Sequence, residues 1–231
     1  MRRMILAVCA LAMALLALPG CSQQVPESPQ DGGAPTPEVV YDGTPTAGKT
    51  VSPLPSGIDP ENLGDCTVEA SFEKGDAYVD DTGAMQLRMK IYTYDLYDMV
   101  DISMLKVGDK LSFCRQDVEV TSLERDGDGT VVINGGLENG GIELVSNEST
   151  AFYARGTDDM KQYYELGEAT VPVSPDFEFE DASDLEKGPR TYYPGDFLTD
   201  DAGIDYHFVP GNTMVTIQGG YVVHMERVYN P

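Results

Sequence analysis

Apolar and polar side chains alternate over most of the chain beyond residue 60. Between Met85 and Ile91 every second residue is apolar, and Gln86, Arg88 and Lys90 occupy the positions between them. A half-buried β-strand produces this period of two, because successive side chains point to opposite faces of the sheet. The same interpretation covers residues 66–72, 110–113, 117–123, 130–133, 141–145, 150–153, 169–173, 176–179, 212–218 and 221–229.

These strand predictions lead to an all-β fold. Residues 61–231 are expected to form short, antiparallel strands that pack as a barrel or a sandwich. They could form one domain or two small β lobes, 61–146 and 147–231. Gly219 and Gly220 separate the last two segments and predict a tight hairpin turn. The only helix expected is a short one at 158–166.

Residues 21–60 have a different composition. Eight prolines fall between Ser22 and Pro60, among glycine, serine, threonine and acidic residues, and few apolar side chains cluster there. Such a segment buries too little apolar surface to offset the entropy of ordering. We therefore predict a disordered tether that reaches from ~35 Å as a random coil to ~120 Å when extended.

Residues 1–20 have the layout of an export signal. Arg2 and Arg3 precede an apolar stretch from Met4 to Leu18, and the small residue Gly20 follows it. A membrane-spanning helix needs roughly 20 apolar residues, and this stretch is shorter. The segment is therefore predicted to be a cleaved signal peptide and not a permanent transmembrane helix.

The four residues Leu18, Pro19, Gly20 and Cys21 resemble the lipobox of bacterial lipoproteins. The resemblance implies that a diacylglyceryl group, with fatty acids such as palmitate, is attached to the Cys21 thiol and that cleavage makes Cys21 the new N-terminus. Two or three acyl chains suffice for stable retention. The protein would then be extracytoplasmic and held on a bacterial membrane by lipid. An ordinary secretory signal that contains a cysteine is the alternative.

The chain is strongly acidic, with 39 Asp and Glu residues against 15 Lys and Arg residues and a formal charge of −24. Nucleic acid is excluded as a partner, because binding to phosphates depends on Lys and Arg. Electrostatic attachment to anionic lipid is excluded for the same reason. Most of the charge is interpreted as a solvated surface, and the alternative is that part of it forms a cation site.

Two cysteines remain once Cys9 has left with the signal and Cys21 is lipidated. These are Cys66 and Cys114, and an even pair in an exported domain suggests one disulfide. Such a bond would stabilise the fold by ~4 kcal/mol in the chain-entropy model. Two buried free thiols are the alternative.

No metal ligands, cofactor or catalytic residues are predicted. The two histidines, His207 and His224, are not in a zinc-binding spacing, and no nucleotide-binding loop or serine-nucleophile motif occurs. The turns at Asp80-Asp81 and Asp200-Asp201 could offer oxygen atoms to calcium, but they do not form a recognised loop. Whether calcium binds there stays open at the sequence level.

Tyr92 and Tyr94 are the candidate ligand-binding residues. If residues 85–91 present their apolar side chains to the core, both rings lie on the opposite face, rimmed by Asp95, Asp98 and Asp101. Exposed tyrosines with an acidic rim suit a polyol, a peptide or a cationic ligand. The alternative is that the rings pack against a second layer of structure.

Three functional hypotheses follow. The favoured one is a non-catalytic cell-envelope lipoprotein whose β-domain binds an unidentified extracellular ligand or surface protein. The second is an extracellular hydrolase with two carboxylates at its active site. The third is a structural part of the envelope.

Overall fold

The computed structural model describes residues 48–147 and 150–229, and the predicted signal peptide, Cys21 and most of the predicted tether lie outside these residues. The all-β prediction is confirmed. The elements in chain order are β1 (Thr50–Val51), β2 (Cys66–Ser71), β3 (Ala77–Val79), β4 (Met85–Tyr94), β5 (Leu96–Asp98), α1 (Met99–Met104), β6 (Lys110–Phe113), β7 (Gln116–Glu119), β8 (Leu123–Arg125), β9 (Val131–Ile133), β10 (Ile142–Ser146), β11 (Ala151–Arg155), β12 (Tyr163–Ala182), β13 (Arg190–Tyr192), β14 (Thr213–Gln218) and β15 (Tyr221–Val228). Short 3-10 helices occupy Leu137–Asn139, Thr157–Asp159 and Pro194–Leu198.

The strands form three sheets. The largest has the order β13-β12-β15-β14-β2-β4-β3, and β12 also pairs with β4. A second sheet has the order β5-β11-β10-β9-β8, and a third has the order β1-β6-β7. Because β4 neighbours both β2 and β12, the largest sheet curls around its core.

The longest strand, β12, differs from the short antiparallel strands that the sequence suggested. Its first part pairs antiparallel with β4, from Tyr163 opposite Tyr94 to Pro172 opposite Gln86. Its second part pairs parallel with β15, for example Phe179 with Met225. The segments predicted at 169–173 and 176–179 are therefore two parts of one strand, which joins the two sides of the largest sheet.

Two hydrophobic clusters form the core. The larger one joins residues of β2–β4 to residues of β12–β15, and the smaller one contains Val51 and residues between Tyr97 and Ala154. The clusters therefore do not follow a division of the chain into 61–146 and 147–231. The physical reason is that β12 returns along β4 and so brings the second half of the chain back to the first core.

Two local predictions were wrong. The tether was expected to extend to residue 60, but Thr50–Val51 forms a parallel strand beside β6, and Val51 is only 2% exposed in the smaller cluster. Of the helix expected at 158–166, only the 3-10 turn Thr157–Asp159 forms, because β12 begins at Tyr163. A helix forms instead at Met99–Met104, where the Asp98 carboxylate accepts hydrogen bonds from the amides of Val100 and Asp101.

A buried ion pair joins β12 to β15 beside the larger hydrophobic cluster. The Arg227 guanidinium donates to both carboxylate oxygens of Asp181, with Nε–Oδ1 and Nη2–Oδ2 distances of 3.0 and 2.6 Å. It also lies over the rings of Phe179 and Phe208, with its Cζ 5.5 and 4.6 Å from their centroids. Arg227 is 2% exposed and Asp181 7%. Burial alone would raise the pKa of Asp181, but the hydrogen bonds from Arg227 and Ser183 outweigh it, so the pKa is lowered.

Candidate functional site

An open groove of about 660 Å³ lies over the outer face of β4. Alternation along this strand buries Leu87, Met89 and Ile91 and turns the side chains between them outward, as the sequence predicted. The groove is bounded by the end of β2 with the loop after it and by the loop before β14. Its lining residues are Ser71, Phe72, Glu73, Asp76, Arg88, Met89, Lys90, Tyr92, Glu168, Tyr206, His207, Phe208, Val209 and Pro210.

Aromatic packing fixes one wall of the groove. The Phe208 ring stacks on Phe72, with ring centroids 4.0 Å apart. Tyr206 packs edge-on against Phe208 with a centroid distance of 5.8 Å, and its hydroxyl donates to the carbonyl of Phe197. Because Phe72 and Phe208 are both buried, the loop that bounds this side of the groove is held by the core beneath it.

The groove carries both signs of charge. Arg88 donates to Asp76 with an Nε–Oδ1 distance of 2.9 Å, and this hydrogen bond raises the pKa of Arg88. Lys90 lies 3.3 Å from a carboxylate oxygen of Glu165 and is 49% exposed. The exposed carboxylate of Glu73 adds a further negative group at the rim. A ligand with both positive and negative groups could find partners within one groove.

The structure separates the two predicted ligand-binding tyrosines. Tyr92 lies at the groove, where its hydroxyl accepts a hydrogen bond of 3.1 Å from Ser71 Oγ. Tyr94 does not line the groove. It packs edge-on against Tyr163, with ring centroids 5.5 Å apart, and the Lys161 ammonium lies 4.1 Å from its centroid. Tyr94 therefore packs against a second layer of structure, whereas Tyr92 stays at the groove.

Asp95 does not form part of an exposed acidic rim beside the tyrosines, as the sequence suggested, but is a buried carboxylate below the end of β4. Asp95 is 3% exposed and accepts hydrogen bonds from the hydroxyls of Tyr97 and Tyr164 and from the amide of Cys114. Burial and the hydrogen bond to Asp95 raise the pKa of Tyr164 to about 12. The only sequence signal was an acidic residue between Tyr94 and Tyr97, both on strands. The partners come from residues about 20 and 70 positions away, so their convergence could not be anticipated.

The predicted disulfide between Cys66 and Cys114 is not formed, and both residues are free thiols in the structure. Cys66 lies on β2 and packs against the larger cluster, whereas Cys114 lies in the turn between β6 and β7. Burial, followed by the nearby Asp95 charge, raises the pKa of Cys114 to about 11. Burial and Asp65 also raise the pKa of Cys66. Neither thiol is therefore poised as a nucleophile at neutral pH.

In each of the two acidic turns, one of the two carboxylates is held by contacts within the chain. Asp80 accepts hydrogen bonds from Thr82, Ala84 and Gln86, and these bonds, the Thr82 hydroxyl first, lower its pKa to about 2. Asp200 pairs with Lys74. Within residues 48–147 and 150–229, no group of three or more His, Cys, Asp or Glu side chains is arranged to hold a metal ion.

The carboxylates give little support to hydrolysis. A glycosidase of the two-carboxylate type needs an acid whose pKa is raised so that it can donate a proton. Every carboxyl group for which a displaced pKa is found, among the residues that the structure describes, is displaced downward; these groups are Asp80, Asp128, Glu143, Asp181, Asp184 and Asp200.

No family model, no curated protein and no solved structure matches this chain. The groove and its side chains are thus the basis for a functional proposal.

Proposed function

We propose that this protein is a lipid-anchored lipoprotein of a bacterial cell envelope whose β-domain binds a polar ligand of the peptide class without transforming it. The observation that carries the binding role is the groove over β4, which combines Tyr92 with charged side chains of both signs. The lipid anchor is supported by the lipobox-like sequence that ends at Cys21.

Peptides fit the composition of the groove better than the other ligands considered. A cation alone would make no contact with Arg88 or Lys90. An uncharged polyol would make no ionic contact with the groove, whose cations already pair with Asp76 and Glu165. A short peptide offers an ammonium, a carboxylate and backbone amides at once. Tyr92 and Tyr206 provide aromatic surface for its apolar groups, and aromatic rings contribute much of the binding energy at such sites.

None of the helices in the described part of the chain is both long enough and apolar enough to cross a bilayer. In the proposal, membrane attachment depends on the acyl chains at Cys21.

Replacement of Cys21 by alanine is expected to abolish stable membrane attachment, because no thiol is then available for acylation. Wild-type protein should be recovered in the membrane fraction with an acylated Cys21 at its N-terminus, as measured by mass spectrometry. Cys66→Ala, which removes a thiol of the folded domain, is the matched control and should still be acylated. Recovery of wild-type protein with an unmodified N-terminus at another residue would contradict the anchor.

Replacement of Tyr92 by alanine is expected to weaken peptide binding about tenfold, which corresponds to about 1.4 kcal/mol. The ring and hydroxyl at the groove are lost, while β4 keeps its backbone pairing. The probes are tetrapeptides with a lysine at one end and a glutamate at the other, titrated calorimetrically into the full-length protein in detergent. Cellobiose serves as the uncharged comparison.

Tyr193→Ala is the control for this experiment, because Tyr193 is 54% exposed and does not line the groove. Its affinity for the peptides should equal that of the wild type. Binding of cellobiose but of none of the peptides would contradict the proposed ligand class. Equal affinities of Tyr92→Ala and wild type would show that the groove is not the binding site.

A further inference from the structure

The short helix α1 presents apolar side chains to solvent. Val100 is 61% exposed, Met104 57% and Met99 40%, and Val107 just beyond the helix is 59% exposed. These four residues are called the entry patch below. Ile102 and Leu105, on the opposite side, are buried in the smaller cluster. The helix is therefore anchored by one face, and its second apolar face has no partner among the described residues.

The chain enters the described structure beside this patch. Gly48 lies so close to Gly108 that a Cβ atom at position 48 would be 1.8 Å from the Gly108 carbonyl oxygen. The Lys49 amide donates to Asp109, and its ammonium pairs with Asp101 of α1. The first described residues of the chain therefore lie next to Val107 and α1.

Charge at this end differs from that of the whole chain. Asp109 is 2% exposed and accepts hydrogen bonds from the amides of Lys49 and Lys106, and Asp101 is paired with Lys49. Lys106 and Lys110 are exposed, and no ion pair is found for either among the described residues. Glu119 lies opposite Lys110 on β7. The exposed Asp98 at the start of α1 is balanced by Arg125, whose guanidinium donates to the Ile102 carbonyl. The border of the entry patch is thus close to neutral in a chain of charge −24, so repulsion from a lipid surface is weaker there than the net charge of the chain suggests.

We infer that the entry patch is a lipid-contacting surface, with Met99, Val100, Met104 and Val107 lying in the headgroup region of the membrane that holds the anchor. This inference rests on the proposed lipid anchor. The driving force is burial of apolar side chains at the interface, with Lys106 and Lys110 facing the headgroups. The contact would orient the domain on the membrane.

The length of chain before Gly48 permits this contact. Cys21 and Gly48 are separated by 26 residues. A chain of that length spans ~30 Å as a random coil and ~80 Å when extended in polyproline II form. Over this whole range, a patch located where the chain enters the domain can reach the bilayer surface.

Methionine oxidation provides a direct test, because Met99 and Met104 are themselves in the patch. The full-length acylated protein is reconstituted into phosphatidylcholine vesicles, with a specific protease site inserted after Gly33 so that the domain can be released. Hydrogen peroxide is added before or after release, and sulfoxide is quantified by mass spectrometry. Oxidation of both methionines should be about fivefold slower before release, because a thioether inserted in the interface is withdrawn from aqueous peroxide.

Two variants make the test specific. Val100→Asp with Val107→Asp should remove the protection of Met99 and Met104, because charged side chains oppose insertion. Leu185→Asp is the matched control, since Leu185 is 72% exposed but outside the patch, and it should leave the protection unchanged. Circular dichroism of each variant verifies the fold.

The lipid anchor and the membrane contact of the entry patch can be tested independently of each other. A histidine tag in place of residues 1–21, bound to vesicles with nickel-chelating lipid, supplies an anchor that does not require acylation. Protection of the two methionines on these vesicles supports the inference even if Cys21 proves unmodified. Equal oxidation on and off the vesicles in both systems overturns it. Protection that appears only at high protein density overturns it in favour of contact between two copies of the chain.

Discussion

Arg227→Met is expected to lower the free energy of unfolding by about 3–5 kcal/mol, the range for removing one partner of a buried ion pair. Methionine has an apolar side chain of similar length, so most of the packing is kept. The stability is lost mainly because the Asp181 carboxylate stays buried without its bidentate partner. The contacts of the guanidinium with Phe179 and Phe208 are lost as well. Urea unfolding at pH 7, followed by circular dichroism, measures the change.

Two comparisons separate the buried pair from ordinary surface charge. Lys74→Met removes the cation of the Lys74–Asp200 pair, whose side chains are 61% and 83% exposed, and it should change the stability by less than about 1 kcal/mol. The double variant Arg227→Met with Asp181→Leu removes both buried charges and should recover much of the lost stability. A single variant as stable as the wild type would show that the pair is not buried in solution.

Lowering the pH should reduce the difference in unfolding free energy between the wild type and Arg227→Met. In the folded protein the pKa of Asp181 is lowered, so its contribution to stability is present above the unfolded pKa of ~3.9 and is lost as the pH falls through the folded value. In Arg227→Met, burial favours the neutral form of the carboxyl, and only the hydrogen bonds from Ser183 still oppose it. The stability gap between wild type and variant should therefore narrow when the same titration is repeated at pH 3.5.

Asp95→Ala is expected to destabilise the fold by about 2–4 kcal/mol, because each buried donor left without an acceptor costs about 1–3 kcal/mol. The Tyr164 hydroxyl and the Cys114 amide both lose their acceptor, whereas the Tyr97 hydroxyl still donates to the Ser112 carbonyl. Thermal and urea unfolding of the full-length protein measure the effect.

The turn at Cys114 makes this carboxylate especially important. Cys114 and Arg115 have φ angles of 47° and 65°, a left-handed conformation that costs roughly 1–2 kcal/mol per non-glycine residue. The hydrogen bond from the Cys114 amide to Asp95 helps to hold the turn.

Asp95→Asn keeps an acceptor oxygen and should lose less stability than Asp95→Ala. The exposed Asp117→Ala should stay within about 0.5 kcal/mol of the wild type, and an equal loss in all three variants would contradict this account.

Much of the sheet structure could be predicted from the alternation of side chains. The segments 85–94 and 110–113 match β4 and β6, and the Gly219-Gly220 hairpin forms with positive φ at both glycines. These features depend on neighbouring residues alone, which is why they can be read from the chain. The helix at Met99–Met104 was missed because six residues are too few to show a helical pattern of apolar side chains. Its placement depends on burying Ile102.

The candidate site could be predicted only in part. Outward orientation of Tyr92 follows from the period of β4, but its place at a groove depends on Tyr206 and His207, more than 100 residues away. Tyr94 has the same sequence signal as Tyr92 and yet packs against Tyr163, because β12 lies beside β4 at that end. Sequence alternation assigns a face of the strand; the neighbouring strand decides whether that face is covered.

The sequence by itself determined the all-β class, the outward face of β4 and the acidic character of the chain, and it supplied the lipobox-like segment on which the proposed anchor rests. Each of these depends on composition or on residues close together in the chain. Only the tertiary structure decided that Cys66 and Cys114 stay apart, that Asp181 meets Arg227 and that Asp95 gathers three donors. The reason is that long-range partners are set by the packing of β12 between β4 and β15, which no local pattern encodes.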